Sequence, residues 1–336
     1  MDKLKRKDIN EFHVIRSLSI LYIIIFHHMD DYVNNYFRTY IGSLDDILTI
    51  ISLGNLIFIS GYLLSQRHEK DLSNQIFSRV IRIYPLYIVS LILFIILGIS
   101  SFNTLSVVSH IFCLNMLLKP LTGNPVMTLW FVSLLMTYYC IYWVLWGRNI
   151  IHIYVILTLI LAILIFLNGH YGLVDKRLIL YFPVFFVGSF FGTKSGLFMN
   201  IVSNKYYSFA TALLLLISAL FFMKIQGSGS HSIYVCSESI IFFSIIPFFA
   251  FSHCLIRNHF FLKAMLKISF ASYCMYLFHR IVFKILIDTF SLSGIYEVLL
   301  FLFIIGLPLT YLISSIIQKY YDKSVNYLRN YSEHFI

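Results

Sequence analysis

The chain alternates long apolar runs with short polar segments. A helix that crosses a bilayer needs about 20 mostly apolar residues, and ten runs come close to that length or exceed it. They are 13–30, 47–65, 80–99, 127–147, 150–168, 178–193, 206–223, 233–255, 268–290 and 295–317. The pattern therefore predicts an all-α fold, a polytopic membrane helical bundle with about ten transmembrane helices.

Composition points the same way. Of the 336 residues, 59% are apolar and 12% are charged, against about 45–50% and about 25% in a soluble domain. So many apolar side chains cannot all be hidden inside one water-exposed globule, which excludes a soluble enzyme and a disordered chain. We expect a single integral membrane domain over 1–336, with no separate soluble domain and the lipid bilayer as its surroundings.

The charge distribution predicts the orientation in the membrane. The net charge is +10, and a basic excess in a membrane protein marks the cytoplasmic side. With a cytoplasmic N-terminus, 18 of the 25 Lys and Arg residues fall on the cytoplasmic side. Both termini are therefore expected in the cytoplasm. No long basic run suggests a nucleic-acid partner. The five cysteines are odd in number and include no C-x-x-C pair, so they suggest neither a disulfide framework nor a metal site.

Ionisable residues inside apolar runs are costly and often functional. The first run contains Arg16 and His27, eleven residues apart. In an ideal α-helix they are separated by ~16 Å along the axis and by ~20° around it, so they share a face. A neutral imidazole is a competent general base, and Asp31, or else Asp30, is placed to orient it. The alternatives are an end anchor for Arg16 and a structural histidine for His27.

The entrance of the third run carries two arginines one helical turn apart, Arg79 and Arg82. Two guanidinium groups on one helix face can bind phosphates in bidentate fashion. Charge anchoring at the cytoplasmic surface is the alternative.

The ninth run contains His279, Arg280 and Lys284. Their cost in a lipid environment predicts that they face a polar cavity, with Glu238 or Glu297 as counter-ion. A structural ion pair between helices is the alternative. The chain has no P-loop, zinc-helix, nucleophile-elbow or dinucleotide-binding motif.

Six short motifs, taken together and in order, resemble those of the membrane acyltransferase-3 family. They are Arg16 with His27; Phe58-Ile59-Ser60-Gly61-Tyr62; Arg79, Arg82, Ile83, Pro85 and Tyr87; Leu129-Trp130-Phe131-Val132-Ser133; the run 185–192; and Ser272-Tyr273, Tyr276-Leu277 and His279. One departure concerns the acidic residue that some members carry after the tryptophan. Leu134, Leu135 and Met136 occupy that stretch here.

The resemblance implies an enzyme that takes an acyl group, most often acetyl, from acyl-CoA as co-substrate, with no bound cofactor. It implies a glycan or lipid-linked saccharide as acceptor and the bacterial inner membrane as location. In this hypothesis Arg16, Arg79 and Arg82 bind the CoA phosphates, and His27 deprotonates the acceptor hydroxyl with the help of Asp31. Further pocket or acceptor candidates are Ser60, Trp130, Tyr273, His279 and Arg280.

Two other functions also fit a polytopic chain with buried charges. A transporter or flippase of lipid-linked saccharide often has repeat symmetry, and no internal repeat is visible. A glycan polymerase needs large loops outside the membrane, and the longest loop between the runs is short. The sequence therefore favours the acyltransferase.

Overall fold

The computed structural model describes residues 2–33, 35–66, 72–100, 103–122, 126–226 and 232–333, and every regular element in these ranges is helical. The helices are α1 (Asp2–Tyr22), α2 (Tyr36–Gln66), α3 (Leu72–Ile96), α4 (Thr104–Ile111), α5 (Lys119–Thr122), α6 (Leu129–Val144), α7 (Ile150–Tyr171), α8 (Lys176–Thr193), α9 (Ser195–Ser203), α10 (Lys205–Ile225), α11 (Ser232–Leu255), α12 (His259–Phe290), α13 (Ile295–Phe301) and α14 (Leu307–Glu333). Two π-helical turns, Ile23–His28 and Leu302–Gly306, extend α1 and join α13 to α14.

The expected fold class, an all-α polytopic membrane protein, is confirmed. Within the described ranges, eight helices are long and apolar enough to cross a bilayer. A ninth crossing is formed if α8 and α9, bent by 102° at their junction, count as one span. The remaining predicted run corresponds to α6, which has 16 residues. All ten apolar runs are therefore helical, but fewer than ten reach full spanning length.

The largest difference in element boundaries lies after the first span. The sequence left 31–46 as a connection, whereas α2 begins at Tyr36 and continues to Gln66, with a break from helical geometry at Gly42. This connection is polar by composition, so hydrophobic periodicity gave no helix there. The consequence is that Arg38 and Asp45 lie on a helix that packs against α1.

Contacts divide the chain into two compact units. Unit 1 comprises Met1–Gln66 and Val184–Gln318, and unit 2 comprises Arg67–Pro183 and Lys319–Ile336. The chain passes from unit 2 to unit 1 within α8, and back within α14. The single-domain expectation for 1–336 stays a prediction.

In unit 1, glycines allow α2 and the end of α8 to approach each other at backbone distance. A Cβ on Gly61 would lie 2.1 Å from the carbonyl oxygen of Phe185, and one on Gly188 would lie 2.3 Å from that of Phe58. Small residues that bring helix backbones together are a common means of helix association in membranes. The Gly-containing motifs of the sequence therefore have a packing role here.

The first half of α1 is held in unit 1 by polar contacts to α11 and α12. The Ser17 hydroxyl donates to the carbonyl oxygen of Met265 at 2.7 Å, His13 lies 2.6 Å from the Ser269 hydroxyl, and His253 lies 2.8 Å from the buried Glu11 carboxylate. Buried polar groups of a span need such partners. In contrast, the only buried side chain of α10 is Phe222, as suits a helix that faces lipid.

In unit 2, α4 is anchored to α3 through backbone atoms. The Tyr87 hydroxyl donates to the carbonyl oxygen of His110 at 2.9 Å, and the Tyr84 hydroxyl donates to that of Ile111 at 2.7 Å. Asn103 caps the first turn of α4 by accepting a hydrogen bond from the Ser106 amide. The connection between the third and fourth apolar runs thus contains a short helix held by two tyrosines.

Candidate active site

The candidate site of unit 1 begins where α1 changes its helical geometry. Residues Ile23–His28 form a π-helical turn, with His27 and His28 at its end. A π-helix has i→i+5 hydrogen bonds and more residues in each turn than an α-helix, and it is frequent at functional sites. His27 is therefore turned around the axis relative to its place in an ideal α-helix. The ~20° separation from Arg16 assumed an unbroken α-helix and does not describe this structure.

His27 is bound to a buried carboxylate on α2. Its Nδ1 atom lies 3.2 Å from Oδ2 of Asp45, whose side chain is 3% exposed. The Tyr22 hydroxyl donates to Oδ1 of the same carboxylate at 2.6 Å. Both carboxylate oxygens thus have a partner from the end of α1. Asp45 links the two helices and restricts the rotation of the His27 ring.

Arg38 completes this group of charges. Its Nη2 atom lies 3.3 Å from Nδ1 of His27 and 3.6 Å from Oδ2 of Asp45. Nδ1 cannot accept from Arg38 and donate to Asp45 at once. We assign the proton to Nδ1, since a carboxylate is the stronger acceptor and the guanidinium can pair with that same carboxylate. The Nε2 atom of His27 then carries a lone pair and has no hydrogen-bond partner in the described part of the chain.

The predicted contact between Asp31 and His27 is not formed. Asp31 instead accepts a hydrogen bond from Arg280 of α12, with Nη2 and Oδ2 at 2.5 Å. The prediction required α-helical i, i+4 spacing, but the chain is π-helical up to His28 and forms a 3₁₀ turn over Asp30–Val33. The residue that orients His27 in the structure is therefore Asp45 and not Asp31.

His279 and Arg280 lie on α12, buried in unit 1 as the cost of a lipid-facing charge predicts. His279 bonds to His28, and Arg280 bonds to Asp31. The counter-ion of Arg280 is thus neither Glu238 nor Glu297. Glu297 instead caps its own helix by accepting a hydrogen bond from the Gly294 amide at 3.4 Å.

The three other pocket candidates are Ser60, Tyr273 and Trp130. The Ser60 hydroxyl donates to the carbonyl oxygen of Leu56 within its own helix at 2.8 Å. Tyr273 is half-buried on α12. Trp130 of unit 2 is buried, and the Arg177 guanidinium lies over its ring at 4.3 Å from the centroid. That ring face is occupied by a cation–π contact, so we do not include Trp130 in the site.

The predicted phosphate-binding arginines fall in different units. Arg16 is half-buried on α1 of unit 1, whereas Arg79 and Arg82 are on α3 of unit 2. Arg79 is half-buried, with its guanidinium 5.9 Å from the centroid of the Tyr139 ring, and Arg82 is exposed. Phosphate binding by these three residues stays a prediction.

Sequence reasoning missed Tyr22, Arg38 and Asp45 as parts of the site. Asp45 was available as an acidic residue beside a predicted span, but 31–46 was taken as a connection. Its pairing with His27 joins positions 18 residues apart on two different helical elements, whereas the side-chain pairs that helical spacing predicts are three or four residues apart. Within the described residues, no group of three or more His, Cys, Asp or Glu side chains has the geometry to hold a metal ion.

A buried carboxylate that holds one imidazole nitrogen and leaves the other free is an arrangement suited to proton transfer, here in a multi-pass membrane protein. A protein-family model described as an acyltransferase domain matches residues 9–319. The chain therefore belongs to the acyltransferase-3 family and is a membrane acyltransferase. Comparison with curated proteins and with solved structures gives no match.

Proposed function

We propose that this acyltransferase moves an acyl group, acetyl in the simplest case, from cytoplasmic acyl-CoA to a hydroxyl of a cell-surface or lipid-linked glycan in the bacterial inner membrane. The observation that carries the proposal is the free Nε2 of His27, opposite an Nδ1 bound to buried Asp45. Family membership favours this reaction over the transporter or flippase that also fits a polytopic chain.

In the proposed reaction, Nε2 of His27 accepts the proton as the hydroxyl oxygen attacks the thioester carbonyl carbon. The new C–O bond forms, the C–S bond of the tetrahedral intermediate breaks, and the imidazolium of His27 returns the proton to the leaving thiolate. Asp45 holds the ring in the required tautomer and stabilises the imidazolium by its charge. Base catalysis of this kind is typically worth 10²–10⁴-fold in rate.

The donor half of the proposal concerns Arg16 and the arginines of α3. Guanidinium groups bind phosphates strongly in bidentate geometry, and the phosphates are the most highly charged part of acyl-CoA. Arg16 precedes His27 by eleven residues on α1 and the π-helical turn that extends it. A pantetheine arm extended along α1 would bring the thioester towards His27.

Acyl transfer to a glycan can be tested directly in membranes that contain the protein. Membranes are incubated with radiolabelled acetyl-CoA, and transfer of label to lipid-linked and surface glycans is measured. We expect His27→Ala to lower transfer about 10²–10⁴-fold at unchanged protein level. His152→Ala is the matched control, because His152 is exposed on α7 of unit 2. Full transfer by His27→Ala would refute the assigned base.

The role of Asp45 has its own control one residue further along. Asp45→Asn removes the carboxylate that holds Nδ1 and is expected to lower kcat within the same range, with a smaller change in KM. Asp46→Asn removes a neighbouring carboxylate that bonds to Gln226 instead, so it should keep most of the activity. Equal effects of the two substitutions would mean that Asp45 acts only through local charge or folding.

A further inference from the structure

A pair of hydrogen-bonded imidazoles, His28 and His279, lies beside His27. The proposed proton transfer by His27 does not involve either ring. Nδ1 of His28 is 2.9 Å from Nε2 of His279. The two rings are parallel within 4°, with their centroids 4.9 Å apart. Both side chains are buried, at 6% and 0% exposure. A hydrogen bond between two buried rings needs a definite tautomer on each side.

The backbone of α12 fixes these tautomers. Nδ1 of His279 lies 3.0 Å from the carbonyl oxygen of Met275 and 2.9 Å from that of Tyr276. Carbonyl oxygens only accept, so we assign the proton of His279 to Nδ1. Its Nε2 is then an acceptor, and Nδ1 of His28 is the donor. Two neutral rings satisfy every bond without placing a further charge beside Arg280.

The π-helical turn and the residues that follow it contact two neighbouring helices, α2 and α12. His27 is held by Asp45 of α2, and His28 is held by His279 of α12. Three residues after His28, Asp31 is held by Arg280, also of α12. Because His27 and His28 are consecutive, a rotation that separates His28 from His279 also moves the His27 ring away from Asp45.

We propose that His279 is a positioning residue that acts through His28: their hydrogen bond holds the π-helical turn in the orientation that keeps Nδ1 of His27 on Asp45. This inference rests on the proposed role of His27 as base. It gives His279 a role in catalysis that does not require contact with either substrate.

The first test is a set of substitutions read out by acyl-transfer kinetics. His279→Ala removes the acceptor and should lower kcat about 10–100-fold, with KM for acetyl-CoA changed less than about threefold. His279→Gln places an amide oxygen where Nε2 was, so it should restore kcat to within about threefold of wild type. Ser244→Ala is the control for loss of a buried polar group, because that hydroxyl bonds only within its own helix.

A second substitution separates positioning by His28 from direct catalysis. His28→Asn keeps an N–H donor near the position of Nδ1 but has no counterpart of Nε2, the nitrogen that could act as an acid or base. If His28 only positions, His28→Asn retains most of the activity, whereas a direct acid–base role predicts a loss as large as that of His27→Ala. The latter result, or wild-type kcat in His279→Ala, would overturn the proposal. If His279→Ala does not fold, His279→Gln and His28→Asn, which keep the hydrogen bond, still distinguish positioning from direct catalysis.

A spectroscopic measurement tests the link without enzymatic turnover. In protein labelled with ¹⁵N-histidine, we expect Nδ1-protonated tautomers for His27, His28 and His279, each resonance identified by its loss in a variant. His279→Ala should shift the His27 Nδ1 resonance, and His279→Gln should not. An unchanged His27 resonance in His279→Ala contradicts the proposal. If wild type transfers no acyl group, the proposed function fails while this measurement still tests the positional link.

Discussion

At the scale of single residues, the number of occupied ring nitrogens separates a candidate base from a structural histidine. Within the described residues, His27 has hydrogen-bond partners at Nδ1 only. His110 of unit 2 uses both nitrogens, since Nδ1 donates to the carbonyl oxygen of Ser106 and Nε2 accepts from the Val126 amide. Burial lowers the pKa of His110, in keeping with a neutral ring that has one donor and one acceptor. His110 is therefore a structural link between α4 and the start of α6.

Asp175 shows how a half-exposed arginine stabilises a buried acid in unit 2. Arg177 donates to its carboxylate from the backbone amide, Nε and Nη2, each at 2.9 Å, and Lys119 lies 3.8 Å away. Burial by itself raises the pKa of the Asp175 carboxyl, but the Arg177 hydrogen bonds and charge outweigh burial and hold this pKa below its ordinary value.

This depressed pKa predicts a pH-dependent contribution of Asp175 to stability. The unfolded carboxyl binds protons more readily than the folded one, so the contribution is present above the ordinary pKa of about 3.9 and is lost as pH falls below it. Asp175→Asn should reduce stability by about 1–3 kcal/mol at pH 7, measured as a lower Tm in detergent. The gap to wild type should narrow from pH 5 to pH 3.

The control for this prediction is Asp288→Asn, which removes an exposed carboxylate paired with Lys284. An exposed pair contributes about 0–1 kcal/mol, so little change in Tm is expected. A gap between Asp175→Asn and wild type that is constant from pH 7 to pH 3 would argue against the depressed pKa.

At the scale of elements, helix contact in unit 1 depends on the absence of side chains at a few positions. Gly61 on α2 and Gly188 on α8 face backbone atoms that cannot move aside without displacing a helix. These contacts are the physical reason for a glycine at each of the two positions. The close approach in turn sets the position of α2, and with it Asp45.

Gly188→Leu should therefore separate α2 from α8. Overpacking of a closed contact typically costs about 1–3 kcal/mol and occasionally more, and here backbone atoms are in the way, so we expect a lower Tm and a lower yield of folded protein. Gly169→Ala on α7 is the matched control, since a Cβ there meets no atom within 4 Å; it should leave Tm unchanged or slightly raised. Equal Tm values for Gly188→Leu and wild type would refute the packing role.

At the scale of the whole molecule, the proposed donor residues come from both compact units. Arg16 belongs to unit 1, and Arg79 and Arg82 belong to unit 2. Arg82 is the clearest probe, because its side chain is exposed and its loss removes charge without loss of a buried contact.

We expect Arg82→Gln to raise KM for acetyl-CoA about tenfold, the worth of one charge-assisted hydrogen bond, with a smaller change in kcat. Arg148→Gln, which removes another exposed basic side chain of unit 2, should leave donor kinetics unchanged. If the two variants behave alike, Arg82 is an anchoring residue.

Much of the fold follows from the sequence. The ten apolar runs all became helices, because a chain surrounded by lipid must satisfy its backbone hydrogen bonds within each segment. Periodicity did not predict the start of α2 at Tyr36, where polar residues continue a helix beyond its apolar part. It also did not predict the π-helical turn at Ile23–His28. In this turn each residue advances around the helix axis by a different angle than in an α-helix, so a shared face deduced from α-helical spacing does not hold.

By itself the sequence determined the all-α membrane fold and the short list of polar residues that had to be buried, since hydropathy and residue chemistry are local properties. Only the tertiary structure decided the pairings. His27 is hydrogen-bonded to Asp45, Asp31 to Arg280, and His28 to His279. These bonds join separate helices, and a buried polar group takes the partner that packing places within reach.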